Sequence, residues 1–156
     1  MANVSRDGPR RRAAAPVVGY VLTLGITTIL ITGLLIAGGG FLDTEREQTV
    51  ESELQAIGQQ VSADIATADR LARAGSDDSA VQRQLPEQTV GGSYTIEIHA
   101  NGGETFLELR STAPSVTVEI GLSVDAGRLN DGAQATGGLV VAEFDAGTGE
   151  VVVRNG

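Results

Sequence analysis

The feature that most constrains this chain is a run of 30 uncharged, mostly apolar residues, Ala13 to Leu42, directly behind three arginines. As an α-helix the run would be about 45 Å long, because each residue adds about 1.5 Å. About 20 apolar residues suffice to cross the hydrocarbon layer of a bilayer, which is about 30 Å thick. The run therefore predicts a helix that spans a membrane, and the lipid bilayer is the first expected partner.

Charge is distributed unevenly on the two sides of this run. Four arginines oppose Asp7 before it, whereas nineteen acidic residues oppose seven arginines after it. By the positive-inside rule, we expect a single-pass protein of the cell membrane with a cytoplasmic N-terminus. The part from Asp43 onward is then extracellular, and its acidity argues against nucleic acid as a partner because phosphate would be repelled.

After the apolar run, the sequence predicts a second helical segment. Gly38, Gly39 and Gly40 favour a kink or break, since three glycines lower helix propensity by roughly 2 to 3 kcal/mol relative to alanine. Thr44 to Glu47 matches a capping box, at which a helix can restart. Gly75 is the expected end of the helix. One apolar stripe follows steps of three and four residues: Val50, Leu54, Ile57, Val61, Ile65, Ala68 and Leu71.

From about Val81 the period changes to two, and glycine-rich turns separate short segments. Val116 to Val124 alternates most clearly, and Tyr94, Ile96 and Ile98 alternate in the same way. Glycine-containing turns after these and later segments predict two hairpins, Tyr94–Arg110 and Leu139–Val153. The expected fold class is α+β: a transmembrane helix, then an amphipathic helix packed on a small antiparallel sheet of four to six strands.

These patterns divide the chain into four expected segments. They are a basic cytoplasmic leader (1–12), a transmembrane helix (13–42), an amphipathic stalk helix (43–75) and an extracellular antiparallel β domain (79–156). Within the transmembrane helix, small side chains recur every four residues, which predicts a face for close helix packing. Its members are Ala15, Gly19, Thr23 and Thr27.

Candidate chemical sites are weak. His99 has no cysteine or second imidazole with which to share a metal, so we interpret it as a surface histidine. Acid-rich loops at Asp77–Asp78 and at Asp125, Asn130 and Asp131 lack the ligand spacing of an EF-hand and are interpreted as turns. Serines occur without a plausible base or nucleophile motif. No catalytic, metal or cofactor-binding residue is predicted, and no cofactor is expected.

The order of the segments resembles the archaeal type IV pilin-like proteins. Arg12, Ala13 and Ala14 fit the leader-peptidase pattern of that family, and the resemblance implies cleavage after Ala13. Gly19 to Thr28 is similar to the N-termini of haloarchaeal pilin-like membrane proteins of unassigned function. All eleven basic residues are arginine, and this acidic, lysine-free composition also looks haloarchaeal, with a GC-rich genome as the alternative.

Two departures qualify the resemblance. Val18 stands where bacterial pilins carry an acidic residue, and the apolar run ends in three glycines. We therefore expect a non-enzymatic, membrane-anchored surface protein, a minor or accessory component of a cell-surface assembly that contacts other pilin-like subunits through its N-terminal helix. The alternative is an anchored extracellular module that binds a surface ligand or cation.

Overall fold

The structure is a computed structural model that describes residues 10–76, 79–101 and 103–156, without the side chains of residues 10–16, 41 and 42. Contacts divide the chain into two compact units, Met1–Asp43 and Thr44–Gly156. The first nine residues of the predicted leader, and the predicted turn at Asp77 and Asp78, lie outside the described residues.

The helical part of the chain is one element, α1, which covers Arg10–Arg73. The break predicted at Gly38–Gly40 is absent from it, and the capping-box residue Thr44 lies inside the helix rather than at its start. Glycine lowers helix propensity but keeps both of its backbone hydrogen-bonding groups. Once a helix is nucleated, residues on both sides can carry it through such a segment.

The end of α1 agrees with the sequence. Gly75 has a positive φ of 91°, the left-handed conformation that glycine adopts at no steric cost. Its amide donates to the carbonyl of Ala72 at 3.0 Å, and the amide of Ser76 donates to that of Leu71 at 3.2 Å. This pair of bonds is a Schellman motif, and it satisfies carbonyls that the helix end would otherwise leave without donors.

In the described part of the chain, seven strands follow in two antiparallel sheets. The strands are β1 (Ala80–Gln84), β2 (Tyr94–His99), β3 (Phe106–Thr112), β4 (Ser115–Gly121), β5 (Gln134–Thr136), β6 (Leu139–Asp145) and β7 (Glu150–Asn155). One sheet has the order β1-β6-β7 and the other the order β4-β3-β2-β5. A 3-10 helix, Ala126–Arg128, lies between β4 and β5. The α+β class with antiparallel pairing is confirmed, whereas the division into two sheets was not predicted.

Both predicted hairpins are present. β2 pairs with β3 from Tyr94↔Ser111 to His99↔Phe106, and β6 pairs with β7. The alternation on β2 buries Tyr94, Ile96 and Ile98 as expected. The strand predicted to run to Val124 ends at Gly121, although Val124 is buried.

The apolar stripe of α1 is the centre of the core of the second unit. Six of its seven predicted members are buried, and only Leu71 is exposed, at 41%. They belong to one buried cluster with residues of both sheets, such as Leu109 on β3 and Val151 on β7. Burial of a large aliphatic side chain contributes roughly 1.5 to 3 kcal/mol, so this stripe is a main source of stability for the thin sheets.

Candidate functional site

The apolar half of α1, described with side chains from Val17 to Gly40, is exposed along this whole length. Its large hydrophobic side chains from Val17 to Ile36 are between 51% and 74% exposed. This part of α1 is long and apolar enough to cross a membrane by length and composition. An apolar surface this extended is far larger than the scattered hydrophobic residues of an ordinary soluble surface.

The threonines of this segment keep their hydroxyl groups within the helix. Thr23 Oγ1 donates to the carbonyl of Gly19 at 2.9 Å, and Thr27 Oγ1 donates to that of Thr23 at 2.8 Å. Thr28 and Thr32 bond in the same way to the carbonyls four residues earlier. A hydroxyl that is already bonded can enter a hydrocarbon layer without the cost of an unsatisfied polar group.

The described residues of the predicted packing face lie in α1, and no other described residue of this unit covers them. Gly19, Thr23 and Thr27 are exposed, and a Cβ built on Gly19 would meet no atom within 4 Å. The side chain of the fourth member, Ala15, is not among those that the structure describes. The two threonine hydroxyls already donate to carbonyls of their own helix. This face could therefore let a second helix approach closely, but these hydroxyls would not donate hydrogen bonds to it.

The predicted processing residues Arg12, Ala13 and Ala14 lie in the first turns of α1. Their side chains are outside the described part of the structure. The backbone there is helical, so the structure places the suspected cleavage position after Ala13 within a helix rather than within an extended segment.

In the second unit, the residues of the predicted acid-rich loop serve different local contacts. Asp131 accepts from the amide of Ala100 at 2.9 Å and from the side chain of Asn101 at 2.9 Å. Asp125 pairs with Arg73 at 3.3 Å, and the side-chain nitrogen Nδ2 of Asn130 donates to Glu150 Oε2 at 2.8 Å. These contacts tie separate segments together, as turn residues do.

A polar cluster that the sequence analysis missed lies on the face of the four-stranded sheet that points away from the core. Glu97 and His99 are two residues apart on β2, and Glu108 lies directly opposite Glu97 on β3. One ligand atom from each of the three lies within 4.8 Å of the other two. Only cross-strand register brings Glu108 into the set, so spacing along β2 alone could not have revealed it.

Two buried aspartates of α1 bind arginines of the β elements. Asp64 pairs with Arg83 on β1, and Asp69 pairs with Arg128 of the 3-10 helix and with Arg73. Burial raises the pKa of Asp69, but hydrogen bonds and charges of Arg128 and Arg73 outweigh this effect, so its pKa lies below the ordinary value. Both aspartates flank the apolar stripe, and that position is the one sequence signal that could have indicated their role.

A shallow groove lies beside α1 in the second unit. Its volume is about 230 Å³, and it is lined by Glu53, Ala56, Ile57, Gln60, Pro86, Gln88 and Thr89. This volume is below the roughly 300 to 1,000 Å³ of typical small-molecule sites. The one carboxylate among the lining residues, Glu53, accepts from the amide of Val90 at 3.0 Å. The groove therefore offers no arrangement typical of catalysis.

The fold and the exposed helix define an α+β protein with an N-terminal helix able to span a membrane. The chain belongs to the DUF7266 family, a family of unknown function, which matches residues 9–154. No curated protein and no solved structure matches the chain.

Proposed function

We propose that this protein is a non-enzymatic, membrane-anchored, pilin-like surface protein, a minor or accessory component of a cell-surface assembly. The observation that carries the proposal is the exposed apolar half of α1, directly followed by a half whose stripe is buried under two sheets. One helix thus supplies both a hydrophobic segment and the core of a folded unit. Pilin-like proteins combine these same two parts.

Charge supports the proposed orientation. Three arginines, Arg10 to Arg12, begin α1, whereas the second unit is strongly acidic. Cytoplasmic retention of arginines is the general rule for single-pass proteins, so the folded unit is proposed to be extracellular. A negative surface also keeps such a unit soluble and monomeric away from its anchor.

The face formed by Gly19, Thr23 and Thr27 supports assembly through the helix. Small residues spaced by four let two helix backbones approach closely in a membrane. Although α1 is unbroken at Gly38–Gly40, three glycines in a row make a helix easier to bend than alanine would, and this supports an accessory subunit over the stiff core subunit of a long filament. Other pilin-like subunits are the proposed partners.

The first experiment is mass spectrometry of the mature N-terminus from membrane and shed-surface fractions of the producing cell. A start at Ala14 would support pilin-type processing and assembly. An intact leader would support a plain anchored module, and a start near Gly40 would overturn the membrane anchor.

A second experiment tests the packing face with matched glycines. Gly19 lies on the face, whereas Gly25 lies on the other side of the helix at 100° per residue, and a Cβ at either position would meet no described atom within 4 Å. We expect Gly19→Leu to abolish co-purification with other pilin-like subunits and Gly25→Leu to retain it. Equal behaviour of the two variants would contradict assembly through this face.

The second candidate function is an anchored extracellular module that binds a surface ligand or cation. The observation in its favour is the cluster of Glu97, His99 and Glu108 on the outer face of the sheet. Co-purification with pilin-like subunits would favour assembly, whereas capture of a surface ligand by a soluble fragment starting near Asp43 would favour the binding module.

A further inference from the structure

The outer-face cluster has the donor atoms of a metal site. Glu97 Oε1 lies 3.9 Å from His99 Nε2, which is too far for a hydrogen bond. Two carboxylates and one imidazole nitrogen from two neighbouring strands thus surround one point. Like charges directly opposite each other on adjacent strands are destabilising, and Glu97 and Glu108 are such a pair. A bound cation would convert this repulsion into attraction.

The imidazole atom in the cluster has no hydrogen-bond partner among the described residues. His99 Nε2 is buried, although the side chain as a whole is 33% exposed. The ring is stacked on Phe106, with centroids 4.9 Å apart and planes 19° apart. A buried polar atom without a partner costs roughly 1 to 3 kcal/mol, so the stacked ring holds a nitrogen ready for a ligand.

Neighbouring side chains orient both carboxylates. Gln134 Nε2 donates to Glu97 Oε2 at 2.9 Å, and Arg110 Nη2 donates to Glu108 Oε1. Each glutamate therefore keeps its other oxygen for the cluster. Metal-binding carboxylates are commonly held in this way by outer hydrogen bonds. The positive charge of Arg110 also lowers the affinity of the cluster for a cation. This favours a site that exchanges its metal ion over a permanently occupied structural site.

We propose that Glu97, His99 and Glu108 form a zinc-binding site on the outer face of the four-stranded sheet. Three protein ligands with a fourth position open to water are the usual set for an accessible Zn²⁺, whereas Ca²⁺ and Mg²⁺ prefer oxygen ligands alone. Ligand atoms around tetrahedral zinc are about 3.3 Å apart. The present separations of up to 4.8 Å are larger than this, so zinc binding requires the two glutamate side chains to rotate towards His99.

The site is separate from the helix-packing proposal, so the two can fail independently. The test is titration calorimetry of the full chain with ZnCl₂ in detergent micelles, without a polyhistidine tag and with excess Mg²⁺ to occupy bare carboxylates. We expect one Zn²⁺ per chain. Glu97→Gln and His99→Ala should each weaken binding about tenfold or more. The matched control is Glu51→Gln, an exposed glutamate on α1, which should bind as the parent does.

A second readout excludes zinc bound elsewhere. His99 is the single histidine, so its imidazole signals in an NMR spectrum report this site without overlap. These signals should shift when Zn²⁺ is added and remain unshifted with Mg²⁺ alone. Absence of zinc binding above the micelle blank would overturn the proposal. Unchanged imidazole signals, or parent-like affinity in Glu97→Gln and His99→Ala, would overturn it equally.

Discussion

Arg83 on β1 donates two hydrogen bonds to Asp64 on α1, from Nη2 to Oδ1 at 2.7 Å and from Nε to Oδ2. The Asp64 side chain is only 9% exposed, whereas that of Arg83 is 40% exposed. Asp64 precedes Ile65 of the buried stripe, so the pair joins the helix to the edge strand of the three-stranded sheet. It is a bidentate contact whose carboxylate has already lost most of its water.

The first prediction concerns the coupling energy of this pair. A double-mutant cycle with Asp64→Asn and Arg83→Gln should give a coupling of about 1 to 3 kcal/mol in the free energy of unfolding. The matched control is the more exposed bidentate pair of Arg154 and Glu143, for which about 0.2 to 1 kcal/mol is expected. The measurement is chemical denaturation of the full chain in detergent micelles. Equal couplings would show that burial of Asp64 adds nothing.

The second prediction concerns acid stability and Asp69. Its pKa is lowered in the folded state, so its contribution to stability is present above the unfolded pKa of about 3.9 and is lost as pH falls through the folded value. Asp69→Asn should therefore have a lower free energy of unfolding than the parent at neutral pH. This difference in free energy, the gap between the two proteins, should shrink below about pH 4. Unfolding curves at several pH values measure this gap. A gap independent of pH would contradict the role of its charge.

The third prediction concerns alkaline stability and Tyr94. Burial raises the pKa of Tyr94 to about 12, and its hydroxyl donates to the carbonyl of Pro86 at 2.7 Å. The folded state holds this proton more tightly than the unfolded chain does. Its contribution is therefore full below about pH 10 and is lost as pH rises towards 12.

Each pKa unit corresponds to about 1.4 kcal/mol, so the parent should lose about 2 to 3 kcal/mol over this range through Tyr94. Tyr94→Phe should have a lower free energy of unfolding than the parent below about pH 10, because the carbonyl of Pro86 loses its donor. Its free energy of unfolding should then fall less than that of the parent over the same pH range. Unfolding free energies at a series of alkaline pH values test this. Parallel losses in both proteins would assign the alkaline effect to other groups.

The elements that the sequence predicted well are those set by local periodicity. The stripe from Val50 to Ala68 has a helical period, and burial of its six members follows directly from that pattern. Gly75 ends the helix by its own backbone freedom. The stripe and the helix end both depend on residues that are close together in the chain, so they can be predicted from a single sequence.

The features that were missed depend on which strands become neighbours. Glu97 and Glu108 meet only because β2 and β3 pair in one register. Of the kink or break predicted at Gly38–Gly40, the break was wrong for the opposite reason, since a local propensity was outweighed by the long helix around it. Strand order in two sheets is decided by burial against α1, which alternation within one strand does not reveal.

The last prediction concerns Gly58, where α1 packs tightly against the four-stranded sheet. A Cβ at this position would lie 2.6 Å from Ile120 Cγ1 and 2.8 Å from Leu109 Cδ1. Leu109 is fully buried, so its side chain has little room to move. Gly58→Val should therefore destabilise the folded unit by about 1 to 3 kcal/mol through overpacking, despite the better helix propensity of valine.

Gln59→Val provides the matched control, because Gln59 is the exposed neighbour on the same helix. It should change the free energy of unfolding by less than about 0.5 kcal/mol. Chemical denaturation, followed by circular dichroism, compares the two variants with the parent. If Gly58→Val is as stable as the parent, the helix can move away from β3 and β4 without loss, and the close approach at Gly58 is not required for the packing of α1 on this sheet.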